Sequence, residues 1–423
     1  MTTAERSAWT SGFAALCLGQ FLGHQTALTF SVLIPILTTE WQMSAGQAGA
    51  ILGGFQFGTL AAYVIVGVLL DRMKSKPIMA WSAALVGVGD LLFAFGARDV
   101  ASGFVLRLLV GILIGGLYLP ALKQIAETIP AARRGTATGI YMATLVTAYA
   151  APLFYVGVLA PIFGWRAIMV GIGILELLGA LVIAWKVPSV TLPPLAGPAV
   201  LSSYAADVLK NASARRVIVA YTGHNWELFG LWGWLAPFMV ASLAAHGVAG
   251  RDALARGGLL AAVAIGLGGA LGAVTGGRLS DRVGRARAAT LMLSVSLMCS
   301  LGFGWLFSAP VAVAAAVALL YGIVSLADSP SYASTLMEVV PARSLGGAFA
   351  VQMLFGWAAT AAAPAVFGLV LDLWKTAGAS PTVQWGWAFM LMALGPLAGI
   401  IALRPLRARS RADVRKLHAE GAR

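Results

Sequence analysis

Charge is what this sequence has least of. Only 11% of its 423 residues are Asp, Glu, Lys or Arg, and 59% are hydrophobic, whereas soluble domains carry about a quarter charged residues. Such a chain cannot cover a folded surface of its size with water-facing groups. Its apolar runs of roughly 18 residues or more need a bilayer as solvent, which argues against a soluble enzyme. Cysteine is nearly absent: Cys17 and Cys299 lie in apolar runs of different halves. They have neither metal nor Cys-x-x-Cys spacing and behave as small hydrophobes. Histidine numbers four, and no His-Glu-x-x-His metal motif occurs. A phosphate-cradling Gly-x4-Gly-Lys-Ser/Thr loop is missing too, so the chain carries no ATPase of its own. Gly87-Val88-Gly89-Asp90 has no matching partner motif in another span, which leaves an intramembrane enzyme as the weaker reading. No short apolar segment with a small-residue cleavage site follows Glu5 and Arg6, so a cleaved signal peptide is not expected.

The basic excess, +13, is not spread evenly. Twelve apolar spans are predicted at 12–37, 47–70, 78–96, 103–126, 136–162, 165–187, 215–242, 256–278, 288–307, 310–339, 345–371 and 384–404. Of the 29 Lys and Arg residues, 22 then fall on one side of the membrane. Five fall on the other (Arg98, Arg166, Arg251, Arg256, Lys375), and Arg107 and Lys123 fall within a span. That asymmetry is the positive-inside bias. It places both termini in the cytoplasm and assigns the basic excess to anionic lipid rather than nucleic acid. The expected organisation is a six-helix bundle over 1–187, a proline-broken linker over 188–214, a second bundle over 215–404 and a basic tail over 405–423.

A duplication underlies the two halves. Gly277-Arg278-Leu279-Ser280-Asp281-Arg282-Val283-Gly284-Arg285-Ala286-Arg287 is a short basic turn between long apolar runs. Gly67 to Lys76 repeats it 210 residues earlier, with Asp71-Arg72 and further cations. Gly58 and Gly268 precede the two turns by the same nine positions. Pro120 pairs with Pro330 at that interval, and Pro152 with Pro364 at nearly the same one. Glycine numbers 50, often four residues apart (Gly49/Gly53, Gly54/Gly58, Gly111/Gly115, Gly268/Gly272/Gly276), a spacing that lets helix backbones approach closely in lipid.

The segment Gly268 to Arg287 resembles the loop-2/3 signature of the major facilitator superfamily of secondary transporters at every marked position. Its counterpart departs, with Lys74 in place of Gly and Ser75 in place of a cation. Arg107-x-x-x-Gly111 is similar to that family's helix-4 motif, Pro130 to Gly139 to its loop-4/5 motif, and Gly164-Trp165-Arg166 to the entry of helix 6. Helix 5 lacks the Gly-Pro glycines of the family's antiporters, since Thr147 to Pro152 stands there. The resemblance implies an all-α membrane protein with twelve transmembrane helices in two pseudo-symmetric six-helix bundles. It also implies that spans 1, 4, 7 and 10 line a central cavity, and that Asp71, Arg72, Asp281, Arg282 and Arg285 act in gating.

A charge inside a bilayer costs about 2.5–3.5 kcal/mol on insertion scales, so each one needs a reason. On the spans assigned to the cavity, the substrate-binding candidates are Gln20, His24, Arg107, Tyr118, Tyr221, Trp226 and Tyr321. His24 fits a packing role equally well. Asp90 and Arg107 lie at similar depth on antiparallel spans 3 and 4 and are expected to pair. Glu227, near mid-span, is the expected proton carrier, with His224, which shares its face, as its modulator in proton coupling and Asp328 next. Asp328 could instead bind backbone at the Pro330 kink. Glu176, on peripheral span 6, reads as a packed or protonated carboxyl rather than a ligand. Lys123 is expected to snorkel to the interface, and Glu127 and Glu338 to meet the basic loops.

A cation on the N-terminal half with acids on the other suits a small organic anion or zwitterion. The function expected is secondary active, proton-coupled transport in a bacterial inner membrane, by a protein acting as a monomer. A proton-driven efflux antiporter of lipophilic drugs is the alternative. Catalytic residues, metal, cofactors and nucleic-acid partners are not expected.

Overall fold

The computed structural model describes residues 3–189, 208–248, 250–341 and 344–407, and the backbone alone at 3–10, 71 and 131–132. Most of the expected 188–214 linker, nearly all of the 405–423 tail and the Asp71 side chain lie outside the described residues. Among the described residues every regular element is helical. A helix pairs its backbone N–H and C=O groups within itself, as lipid requires. Eleven helical stretches are long and apolar enough to cross a membrane, and two shorter apolar helices precede them.

The first span consists of α1 (Thr3–Gly23) and α2 (Thr29–Glu40). Spans 2 to 7 are α3 (Ala45–Arg72), α4 (Ser75–Gly96), α5 (Val100–Thr128), α6 (Ala131–Phe163), α7 (Trp165–Lys186) and α8 (Ala212–Ala245). Span 8 runs through α9 (Arg251–Ala262), a π-helical turn at Val263–Gly268 and α10 (Gly269–Val283). Span 9 is α11 (Arg285–Gly302) with a 3-10 turn, Phe303–Ser308. Span 10 is α12 (Val311–Ala327) and α13 (Ser329–Val339), span 11 is α14 (Leu345–Thr376), and span 12 is α15 (Pro381–Met392) and α16 (Leu394–Leu403). These are the twelve transmembrane helices, two repeats of six, that the sequence predicts. Large apolar side chains such as Val64, Trp185, Leu373 and Ile401 stay exposed, as lipid-facing positions should.

Three spans predicted as continuous are broken, the twelfth at Ala393 between α15 and α16. The first breaks over residues 24–28, between Gly23 and Thr29. The tenth breaks at Asp328, because Pro330, near the start of α13, has no N–H with which to continue the α12 ladder.

Contacts sort the described residues into two compact units: those within Met1–Ala196 and Ala236–Ala262, and those within Gly197–Leu235 and Val263–Arg423. In the first, α3 packs along α5, and α4 along α5 and α7. Gly58 lies on the backbone of Leu108 to Ile112, and Gly111 on the Phe55 carbonyl. α9 packs on α6, where Gly258 meets the Leu153 carbonyl. In the second unit α12 packs along the π-helical turn and α10. There Gly268 lies on the Leu319 to Ile323 backbone and Gly322 on the Ala264 carbonyl. A side chain at any of these positions would push a helix backbone away, so the four-residue spacing acts as a packing device.

The two basic turns reach the same helix-to-helix reversal by different backbones. Gly284, opening α11, has φ 92°, a left-handed value that favours glycine. Lys74, opening α4, has φ −69° and ψ 147°, extended geometry open to any residue. That conformation is why the first copy tolerates Lys at the motif position.

Candidate functional site

The break in span 1 exposes backbone groups that lipid cannot satisfy, each at a cost of several kcal/mol if left unmet. Side chains of the first unit meet them. His24 Nδ1 lies 2.8 Å from the Gln20 carbonyl, Gln25 donates to the Phe21 carbonyl, and Thr29 Oγ1 donates to that of Gln25 at 2.7 Å. Thr26 receives the most. Arg107 donates from Nη1 to Thr26 Oγ1 at 2.5 Å and from Nη2 to the Thr26 carbonyl at 3.1 Å, while Thr26 N–H donates to Glu176 Oε1 at 3.2 Å. Asp90 Oδ1 stands 3.7 Å from Arg107 Nη1, and the guanidinium lies over the Phe55 ring at 4.4 Å. Asp90 and Glu176 have 0% exposure and Arg107 1%. The structure therefore brings Asp90 and Arg107 together, and it adds Thr26, which sequence reasoning left out, and Glu176, which it read only as a packed or protonated carboxyl. One signal could have found Glu176. Gly87-x-x-Asp90 and Gly173-x-x-Glu176 share a pattern, and Gly87 and Gly173 are where α4 and α7 cross backbone against backbone.

A second cluster lies in the second unit. Glu227 Oε1 accepts from Ser296 Oγ at 2.7 Å and from Ser300 Oγ at 2.5 Å, and Ser300 also bonds Tyr321. His224 does not bond Glu227. It lies 2.8 Å from Asp328 Oδ1, close enough for an ion pair though not aligned as a hydrogen bond. Asp328 Oδ2 accepts from Tyr332 Oη at 2.5 Å, so this side chain, at the break in span 10, binds side chains and not the backbone at the kink. The rings of Tyr221 and Tyr332 flank His224. Ser296, Ser300 and Tyr332 were not legible as partners, because hydroxyls inside apolar spans are common and nothing marks which ones face an acid.

The other predicted residues are dispersed. Gln20 donates to the Leu117 carbonyl at 3.3 Å and accepts from Tyr141, whose ring stacks with that of Tyr118. Trp226 turns away from Glu227 and donates to the Leu391 carbonyl at 3.3 Å. It lines an apolar groove of ≈ 520 Å³ with Ile218, Phe355 and Leu394. Arg285 pairs with Glu338 at 2.7 Å, while Arg72, Asp281 and Arg282 are exposed at helix ends. Lys123 donates to the Leu70 carbonyl and lies 3.8 Å from Glu127, one turn along its own helix. Outside the spans, Asp99 caps α5. Ser102 donates to it from its backbone N–H and its hydroxyl, holding the carboxyl below its ordinary value. Among the described residues no three His, Cys, Asp or Glu side chains converge to hold a metal.

The family model of the Major Facilitator Superfamily matches residues 16–364 and 258–422. A probable sulfoacetate transporter of Cupriavidus necator is 29% identical over 164 residues, 38% of this chain and 37% of that one. A 4-hydroxybenzoate transporter of Pseudomonas putida is 24% identical over 237 residues, 52% of this chain and 53% of its own length. A gallate transporter of Pseudomonas putida is 26% identical over 156 residues, 37% and 34% of the two chains. The matches thus span about half or less of these curated relatives. Among solved structures, a bacterial homologue of the human lysosomal transporter Spinster superposes with TM-score 0.72 at 17% identity, over 100% of this chain and 99% of that one. The nucleoside transporter NupG does so with TM-score 0.74 at 12% identity, over 95% and 100%. Those identities speak for the fold alone. The family match over most of the chain, with its motifs in their expected places on a twelve-span membrane fold, means that the chain belongs to the major facilitator superfamily.

Proposed function

We propose that this protein is a secondary active transporter that moves a small organic anion by alternating access, coupled to protons. The observation that carries the reading is the chemistry of its relatives' named cargoes. Sulfoacetate, 4-hydroxybenzoate and gallate are all small organic acids. Family membership supports transport. Proton coupling is supported by the second cluster: His224 and Asp328 balance one another, which leaves Glu227 a buried carboxyl with two serine donors and no base of its own. An anionic substrate favours the neutral form of such a group, because two negative charges in a dry site repel. By linkage the proton then favours the anion, as symport requires.

The proposal extends to a bacterial inner membrane, cytoplasmic termini, a functional monomer, and gating by the Asp71, Arg72, Asp281, Arg282 and Arg285 loops. Gln20, His24, Arg107, Tyr118, Tyr221, Trp226 and Tyr321 are the proposed substrate contacts. The buried guanidinium, whose Nη1 and Nη2 both donate to Thr26, favours Arg107 as holder of the span 1 break as well.

Proteoliposomes test it, with labelled sulfoacetate and 4-hydroxybenzoate as probes. The wild type should accumulate at least one of them when the lumen is alkaline. Glu227→Gln should keep exchange of that anion across the membrane and lose accumulation driven by the pH gradient. Gradient-driven accumulation surviving in Glu227→Gln would move the proton site, with Asp328 next. Wild-type protein that exchanges neither acid would remove the two nearest anion classes.

A further inference from the structure

The first cluster is short of a proton, and this stands apart from what the protein carries. Arg107 is the cluster's sole cation among the described residues, and two carboxyls face it, Asp90 from α4 and Glu176 from α7. The groups that pack around them add no second positive charge. The broken first span offers Thr26 and Gln25, and His24 turns its Nδ1 to the Gln20 carbonyl and its ring to Tyr149. α3 offers the Phe55 ring, and α6 offers Tyr155, whose hydroxyl bonds Gln25 at 3.1 Å. With both carboxyls ionised the cluster would hold one net negative charge out of reach of water, a state that costs several kcal/mol.

The unpaired atoms point to the same deficit. Neither oxygen of Asp90 nor Oε2 of Glu176 has a hydrogen-bond partner among the described residues, although all three are buried. The two carboxyls nevertheless converge on one place: Asp90 lies beside Arg107 Nη1, and Glu176 accepts from the N–H of Thr26, whose hydroxyl and carbonyl hold that same guanidinium. Two acceptors can bond only if one of them carries a hydrogen. The close crossing at Gly87 and Gly173 holds the two acids side by side, each three residues along its helix from the contact.

We propose that Asp90 and Glu176 share a single proton, and that this buried proton site holds the break in span 1 in place. Its position follows from the contacts. Asp90, nearest to Arg107, stays charged. Glu176 carries the hydrogen on Oε2 and donates it toward Asp90, while its Oε1 goes on accepting from Thr26 N–H. When the proton leaves for water, two carboxylates compete for one guanidinium and repel at the α4–α7 crossing. Glu176 then moves, and Thr26 loses its acceptor. Protonation of the pair is thereby tied to the conformation of span 1, at a site separate from Glu227.

Infrared spectroscopy of the purified full chain in lipid at neutral pH tests this through the C=O stretch of a protonated carboxylic acid and its shift in heavy water. The wild type should show the band, and Glu176→Gln should lose the intensity of one carboxyl. Asp90→Asn should lose the same amount, because Glu176 alone is then neutralised by Arg107 and keeps no proton; a merely structural carboxyl would not respond in this way. Glu227→Gln serves as the control and should leave this component untouched. Unchanged intensity in Asp90→Asn would overturn the sharing, and unchanged intensity in Glu176→Gln would overturn the site. A wild-type band that disappears in sodium chloride but not in choline chloride would put a sodium ion where we place the proton. Both variants match one base to one acid, so both should fold. Failure of both to yield folded protein would also defeat the proposal.

Discussion

The two buried clusters have the same stoichiometry and different bases. Asp90 and Glu176 accompany Arg107 in the first unit; in the second, Asp328 pairs with His224, and Glu227 lies one helical turn from that histidine on serine donors of its own. Arginine never gives up its charge in a protein, whereas histidine changes charge within the physiological range. The first cluster is therefore anchored. Its cation is permanent, it braces a broken helix, and only the proton between its carboxyls can leave. The second can lose a proton from a base as well as from an acid. Glycine-lined packing is common to the two units, and the base is what differs between their clusters, a permanent cation in one and a histidine in the other.

The largest effect should come from removing the permanent charge. Arg107→Leu leaves two buried acids and the Thr26 carbonyl unmatched, and breaking a buried pair in this way costs about 3–5 kcal/mol. Little folded protein should be recovered, as read by size-exclusion yield and thermal unfolding in detergent. His224→Gln should cost less, about 1–3 kcal/mol, because Asp328 keeps the Tyr332 hydroxyl. Equal losses would mean that His224 is as fixed a cation as Arg107, and the contrast would fail.

Packing, unlike charge, should behave alike in the two units. Gly111→Val and Gly322→Val each drive a side chain into a helix backbone, an overpacking worth about 1–3 kcal/mol. Similar drops in unfolding temperature are expected, and a change tolerated in one unit alone would break the packing symmetry. Smaller again, Ser296→Ala and Ser300→Ala each remove one donor from Glu227, at about 1 kcal/mol. Both should also move the pH dependence of transport, which Ser82→Ala in the first unit should not.

The smallest difference lies outside the membrane. Asp99 caps α5 with reciprocal bonds to Ser102, while α12, its counterpart in the repeat, starts at Pro310 without a side-chain cap. Asp99→Ala should lower the unfolding temperature by roughly a degree. The capped carboxyl sits below its ordinary value of 3.8. Its contribution is therefore complete above that value and is lost as the pH falls through the lower, folded one. The gap between wild type and variant should close in that acidic window and persist at neutral pH.

Much of the second unit's loop chemistry was legible because Gly284 is a glycine for a local reason, its positive φ, and local reasons leave marks in a sequence. Glu176 was read as a packed or protonated carboxyl, but its partners were not legible, for the opposite reason. Its partners Thr26, Asp90 and Arg107 come from three other spans, and the Gly-x-x-acid pattern that span 6 shares with span 3 points only to Asp90. Span 1 was read as one helix because a run such as Gly23-His24-Gln25-Thr26 is compatible with helix. It breaks because donors and acceptors from α5 and α7 wait at that depth.

The sequence by itself determined that this chain lives in a bilayer, that it crosses twelve times, and that it is a doubled unit with glycine-lined helix contacts. Those properties follow from composition, apolar run length and residue identity at short spacing, all of which act through solvent and local sterics. Only the tertiary structure decided which acid answers which base. It assigned His224 to Asp328 rather than Glu227, and it seated Glu176 beside Asp90. A charge in a low-dielectric interior responds to whatever lies within a few ångströms, and helices far apart in the chain set those distances.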